Sequence, residues 1–326
     1  MCSKAYHPGR VLRMTDGIDR QATGGVGYAF GWDAVSLMYR HLEYDQGDAA
    51  NEQDGRNPLM ANARKLLIPM LALTGTPAAV TAEVNQAELA KQLNNPIASL
   101  ISVPLQINYD QDMGAGNQGH RYLLNIQPVI PFSLNDEWNL ITRTILPVIS
   151  QEDIVPASGQ SGIGDLTESL FFSPKALTAG GWTWGAGPVF LLPSASDDLL
   201  GGGKWGIGPT AVALKQDNGW TYGALANHVW SVAGDDDRND ISSTFLQPFL
   251  AYTTRRHTTF TVNTESTYNW QEEQWSVPIN LMVTQLFKVG DQPMSLQLGA
   301  RYWADSPETG PEGWGVRLTY TLVFPK

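Results

Sequence analysis

Cysteine is nearly missing from this sequence: Cys2 is the only one in 326 residues. That excludes a disulfide framework and a thiolate metal site. Histidine is scarce as well; the five are scattered, which argues against a His-rich metal centre. Positive charge is short, with 21 Lys and Arg against 32 Asp and Glu, and the net charge of -11 excludes nucleic acid as a partner, since that needs clustered Lys and Arg. Charged residues make up only 16%, yet the mean hydropathy of -0.20 is not that of a helical membrane protein. Plentiful instead are Gly (32), Trp (11) and Tyr (11), a composition suited to a β-barrel with tight turns and aromatics at two lipid interfaces.

The clearest pattern lies at the end of the chain. Met294, Leu296, Leu298, Ala300 and Tyr302 alternate with Ser295, Gln297, Gly299, Arg301 and Trp303. After an acidic Pro/Gly loop, Trp314, Val316, Leu318, Tyr320, Leu322 and Phe324 alternate with Gly315, Arg317, Thr319, Thr321 and Val323. Strict period-two alternation over about ten residues is a strand signal, and that length fits a tilted membrane-crossing strand. Aromatics at both ends of the apolar face complete the signature of a closing barrel hairpin.

From residue 99 onward, about twelve segments of this kind follow one another, an even number as a single-chain barrel requires. The spacing predicts short turns at 133–137, 174–180, 216–219, 254–256 and 289–292. Asp217, Asn218 and Gly219 supply two-residue hairpin chemistry. The alternate connections, at 111–120, 150–163, 193–203, 234–240 and 304–312, are long and polar. The one at 271–274 is short and breaks the rule.

Upstream, 60–65 (MANARK) is a basic n-region, 66–73 (LLIPMLAL) an apolar h-region and 74–82 (TGTPAAVTA) a small-residue c-region. Those three parts in order predict a secretory signal peptide over 60–82, cleaved before Glu83. The apolar run is too short to cross a membrane as a helix, and Pro69, Gly75 and Pro77 would interrupt a core helix. Residues 1–59 form an atypical extension with two barrel-like strands, at 24–30 and 32–44, and a polar linker. It reads as a mis-start or the remnant of an upstream gene, with an extra hairpin or plug as the alternative. Residues 83–98 carry weak helical periodicity stopped by Asn94, Asn95 and Pro96, which predicts a short periplasmic or lumen-plugging helix.

The barrel region resembles the outer-membrane "MetA-pathway of phenol degradation" proteins, also labelled neuromedin-U-like transporters. The resemblance is carried by 88–96 (ELAKQLNNP), 101–106 (ISVPLQ), 162–174 (GIGDLTESLFFSP), 203–209 (GKWGIGP), 226–231 (ANHVWS), 246–249 (LQPF) and 324–326 (FPK). It spans roughly 83–326 and implies an outer-membrane barrel passing aromatic or other apolar compounds, with no catalytic residues to transfer. The ending departs from the usual terminal aromatic, because Pro325 and Lys326 follow Phe324.

The fold expected is therefore all-β, a transmembrane antiparallel up-and-down barrel of about twelve strands over 99–326. By parity the lumen-lining candidates are Asn125, Gln127, Arg143, Glu168, Asn263, Glu265, Asn280, Gln297, Arg301 and Arg317, with Asp165 beside Glu168. Such a lining either forms a constriction selecting small polar or anionic solutes, or fills a narrow barrel with salt bridges.

Other chemistry is weaker. The 201–206 stretch matches G-x-G-x-x-G but no helix is predicted after it. The acid-rich 234–240 loop lacks EF-hand spacing. For a barrel hydrolase only His257 with Thr259, or His228 near Ser231, offers a nucleophile and base. The expected function is passive uptake of small, aromatic or apolar molecules through the outer membrane, with no metal, no cofactor and no catalysis. A closed structural barrel and a barrel lipid hydrolase are the alternatives. Expected partners are outer-membrane lipid and lipopolysaccharide, small solutes and the outer-membrane assembly machinery.

Overall fold

The computed structural model describes residues 86–155 and 158–325. The expected extension at 1–59 and signal peptide at 60–82 lie outside the described residues.

Among the described residues, fifteen strands form one sheet that closes on itself. They are β1 (Ile101–Met113), β2 (Gly119–Ile126), β3 (Val129–Ser133), β4 (Trp138–Val155), β5 (Ser158–Ile163), β6 (Leu166–Pro174), β7 (Trp182–Leu192) and β8 (Lys204–Asp217). The rest are β9 (Trp220–Gly234), β10 (Ser242–Thr253), β11 (Thr258–Thr264), β12 (Ser266–Asn269), β13 (Gln274–Val289), β14 (Gln292–Asp305) and β15 (Gly313–Phe324). β2 with β3, β5 with β6, and β11 with β12 are each one stave broken in two, so the ring has twelve staves. Neighbours are antiparallel, and β1 meets β15 from Ile101↔Phe324 to Tyr109↔Val316, which leaves no open edge there. The ring is completed by β9 and β10, paired from Trp220↔Tyr252 to Trp230↔Ser242.

The breaks have local causes. Pro128 has no N–H to give the ladder, so β2 ends at Ile126 and β3 begins at Val129. Gly164 and Asp165 separate β5 from β6, and Glu265 separates β11 from β12.

Alternation sorts the faces. Trp314, Val316, Leu318 and Phe324 are exposed on the outer face, while Arg317, Thr319, Thr321 and Val323 are buried inside. Two aromatic girdles bound the outer apolar belt. At the end with short turns, Trp138 packs edge-on to Trp184 and Trp182 to Tyr222. At the other end, Tyr109 meets Tyr122, Tyr268 meets Trp275 and Tyr302 meets Trp314. An apolar outer belt between two such rings on a closed barrel is a transmembrane surface.

The turns at one end are short; Asn218 and Gly219, with φ of 48° and 85°, make the two-residue hairpin between β8 and β9. Two connections differ from the expected pattern at the other end. Residues 150–155 and 158–163 are strand, because β4 and β5 run on side by side, with the Gln151 and Gln160 side chains bonded at 3.0 Å. Their polarity suggested a loop, but strands beyond the lipid meet water and need no apolar face. The link between β12 and β13, residues 270–273, is short, so the exception expected at 271–274 holds.

An eight-residue helix, α1 (Gln86–Leu93), stands inside the short-turn mouth. Its Leu89 and Ala90 pack with Ala98 and Leu100 against Leu286 and Val323 of the barrel wall. Gln216 donates to the Lys91 carbonyl at 2.8 Å, and Asn94 donates to Thr253 at 3.1 Å. The linker that follows places Ile97 in a second apolar cluster with Val129, Ile141, Phe171, Val212, Leu214 and Leu225.

Candidate functional site: a charged band inside the barrel

Halfway along the staves, inward side chains from opposite ends of the sequence meet in one network. Arg317 on β15 is 1% exposed and grips Glu265 with two parallel bonds, Nη1 to Oε1 at 2.8 Å and Nη2 to Oε2 at 2.7 Å. Its Nε donates to Asn108 Oδ1 at 2.7 Å. The paired fork is the strongest geometry a guanidinium offers a carboxylate, and it ties β15, β1 and the β11–β12 break together. The break puts Glu265 there: leaving the ladder at that residue frees its side chain to reach across.

Arg301 on β14 lies between the two acids, 3.8 Å from Glu265 Oε2 and 3.6 Å from Asp110 Oδ1. Both distances are ion pairs but too long for hydrogen bonds, and Arg301 Nε and Nη1 have no hydrogen-bond partner among the described residues. The guanidinium instead lies 4.5 Å over the Trp303 ring. Asp110, fully buried, accepts from Arg121 Nη2 at 3.0 Å and Trp303 Nε1 at 3.0 Å. Asn280 donates to Asn263 Oδ1 at 2.8 Å beside it. Across the interior, Arg143 on β4 has an amide as its hydrogen-bond acceptor, Gln127 Oε1 at 3.2 Å. The band thus holds four guanidinium groups against two carboxylates.

A cavity lies on each side of the band. One of about 300 Å³ opens toward the long loops and is lined by Asp240, Asn269, Glu272 and Ser276 among others. The other, about 90 Å³, is lined by Thr259, Thr284, Ser295, Gln297, Thr319 and Thr321, with Ala90, Leu93 and Asn94 of the α1 region at its floor.

Arg317, Glu265, Arg301, Asn263 and Asn280 are therefore brought together, with Gln127 and Arg143 on the opposing wall. Gln297 lines the smaller cavity, bonded to Thr284 at 2.8 Å and accepting from Thr319 at 3.2 Å. Asn125 faces inward opposite Gln106.

Glu168 is a correction. The pairing Arg143↔Ser169 leaves Thr144 and Glu168 together on the outer face, with Phe190 as the next neighbour. Thr144 Oγ1 donates to its carboxylate at 2.5 Å. In β6 both faces carry bulk, since Phe171 points inward and Phe172 outward, so polarity did not reveal the parity. A carboxylate on the lipid face is a cost, so Glu168→Leu should raise barrel stability by about 1–2 kcal/mol. Urea unfolding in vesicles measures this, and an unchanged or lower midpoint would contradict that placement. Asp165 does not join the band either; it holds the 193–203 loop by accepting from Ala195 N at 3.2 Å and Gly202 N at 2.6 Å.

Asn108 and Asp110 share the inward face of Gln106, Arg121 stands opposite Asp110, and Trp303 lies on the Arg301 face of β14. Asn108, Asp110 and Arg121 were not among the sequence candidates, because alternation along one strand does not show which inward charges ring closure makes neighbours. The weaker motifs resolve simply. Residues 204–206 begin a strand, not a helix. His228 faces outward, bonded to Thr244 at 2.7 Å and stacked near Trp230. Thr259 Oγ1 pairs with Thr253, and His257 sits in a turn with φ of 60°. Among the described residues no group of three or more His, Cys, Asp or Glu is placed to hold a metal ion.

Residues 119–320 match the family model described as "Putative MetA-pathway of phenol degradation". The chain belongs to that family. Among solved structures this family member is similar to an outer membrane channel from Pseudomonas putida F1, at 16% identity and a TM-score of 0.56, covering 69% of this chain and 96% of that one. It also matches outer membrane phospholipase A from Escherichia coli, at 12% identity and a TM-score of 0.43 over 74% and 99%. A third match is the β domain of the Bordetella autotransporter BrkA, at 9% identity and a TM-score of 0.39 over 69% and 100%. The first supports the barrel fold; the other two are too distant to carry an argument. No curated protein sequence matches the chain.

Proposed function

We propose that this chain is an outer-membrane channel through which small molecules, aromatic and apolar ones among them, diffuse down a gradient without a cofactor or a catalytic step. The observation that carries the reading is the pair of cavities inside one closed barrel, separated by the charged band, the smaller of them floored by α1. A barrel that only needed filling has no use for two chambers in line. The family and the channel from Pseudomonas putida F1 support the same reading.

Short turns face the periplasm in barrels of this kind, so α1 closes the periplasmic mouth and the larger cavity faces outward. Membrane lipid and lipopolysaccharide are the partners for the outer belt, and the outer-membrane assembly machinery inserts the chain. A closed envelope barrel is the second reading, favoured by the packing of the band and of α1. Purified, refolded protein in planar bilayers separates the two. A channel gives discrete conductance steps, rising when α1 is loosened; silence in the parent and in the loosened variant leaves the closed barrel. A lipid hydrolase fits less well, because among the described residues no carboxylate orients His257 toward Thr259, and His228 points away from the lumen.

A further inference from the structure

The band is unbalanced in charge and stands against an apolar wall, and the two features meet at one residue. Arg143 pairs with Val129 on β3 and Ser169 on β6. Two residues further along the same inward faces stand Ile141 and Phe171, both fully buried. So a guanidinium bonded to an amide oxygen sits on the rim of the apolar cluster. Arg301, 6% exposed, brings two more nitrogens without hydrogen-bond partners to the band. The slot on that wall is occupied by Ile97, delivered by the linker after α1. A Cβ on Gly185 would stand 3.3 Å from Ile97 Cδ1 and 3.3 Å from Phe171 Cβ, so the bare glycine makes the notch that admits Ile97.

We infer that the interior binds small amphipathic anions: a carboxylate is held by Arg143 and Arg301, and its aromatic or aliphatic body takes the place of Ile97 against Phe171 and Ile141. The inference rests on the channel reading and names the class of solute for it. Four guanidinium groups facing two carboxylates in a desolvated interior attract an anion, as the basic rings of anion pores do. A neutral ring would leave the excess charge unmet, and a small hydrophilic anion would leave the wall unfilled. The outer cavity does not select in this way: its Asp240 lies 3.6 Å from Lys204, and Glu272 is exposed. Selection therefore happens at the band. Because the ligand's body and Ile97 compete for one slot, occupancy loosens the linker that holds α1.

Equilibrium dialysis of the refolded full chain against benzoate, acetate and benzyl alcohol tests this, with heat-modifiable gel mobility verifying that each variant is folded. Benzoate should bind at least about tenfold more tightly than either of the others, since each lacks one of the two contacts. Arg143→Gln should weaken benzoate about tenfold, Arg143→Lys less, and Ile97→Ala should tighten it several-fold. Opposite signs at two inward-facing residues are not what general loosening of the barrel produces. Equal binding of benzoate and benzyl alcohol, retained binding in Arg143→Gln, or no tightening in Ile97→Ala would each overturn the inference. Bilayer currents without anion preference would overturn it while leaving the channel standing. Benzoate binding as described in a protein that never conducts would keep the site and remove the channel.

Discussion

Arg317→Ala should be the most damaging single substitution in the barrel, lowering stability by about 3–5 kcal/mol, because it strips a buried acid of its main partner. Glu265 would keep only Arg301 at 3.8 Å and the more distant charge of Arg143, and Asn108 would lose its donor. The loss should be mostly the penalty of the stranded carboxylate rather than the worth of the pair. Arg317→Leu combined with Glu265→Leu should therefore recover most of the stability, and the double-mutant cycle should show a coupling of about 2 kcal/mol or more. Arg317→Lys keeps the charge but not the fork and should fall between. Urea midpoints read by gel mobility measure these variants, with the single Arg317→Leu and Glu265→Leu substitutions completing the cycle. A single Arg317→Ala within about 1 kcal/mol of the parent would mean that water already reaches Glu265 and that the band is not dry.

Much of this architecture could be read from the sequence, because a barrel writes its geometry in parity. The strict alternation around Arg301 and Arg317 put both inside and Trp314 and Leu318 outside, as the structure has them. The short turns were legible from residue chemistry, most plainly at Asn218 and Gly219. Parity failed where its physical basis fails. Beyond the lipid both faces of β4 and β5 meet water, so a strand there resembled a loop. In β6, Phe171 fills the interior while Phe172 faces lipid, so bulk appears on both sides and Glu168 was assigned to the wrong one. Pro128 and Glu265 interrupt staves without shifting the faces, which is why segments read as continuous remained correct about direction.

The site was half legible for a different reason. Alternation gives each inward residue but not its angular neighbours, and those depend on ring closure. Arg317 meets Asn108 only because β1 returns to β15, and it meets Glu265 only across the interior. A count of lumen charges could find four of the six ionised groups now seen in the band. It could not pair them, nor reveal that Arg301 is held loosely between two acids.

Leu89→Asp should open the short-turn mouth with little effect on barrel stability, the reverse of Arg317→Ala. Leu89 is 1% exposed and sits where α1 meets Leu100, Leu286 and Val323. Removing its apolar burial costs docking about 2–3 kcal/mol, and a carboxylate in that place adds more. A shift of about 3 kcal/mol in a docked-to-undocked equilibrium changes the undocked fraction roughly 150-fold. The strand ladders do not depend on the helix, so the unfolding midpoint should stay within about 1 kcal/mol of the parent. Two readouts check this independently. Conductance events should rise steeply in planar bilayers, and trypsin should cut after Lys91, which docking protects through the Gln216 bond to its carbonyl. Cleavage without added conductance would show that α1 leaves but the charged band still blocks passage. Arg301 and Arg143, rather than the helix, would then be the gate.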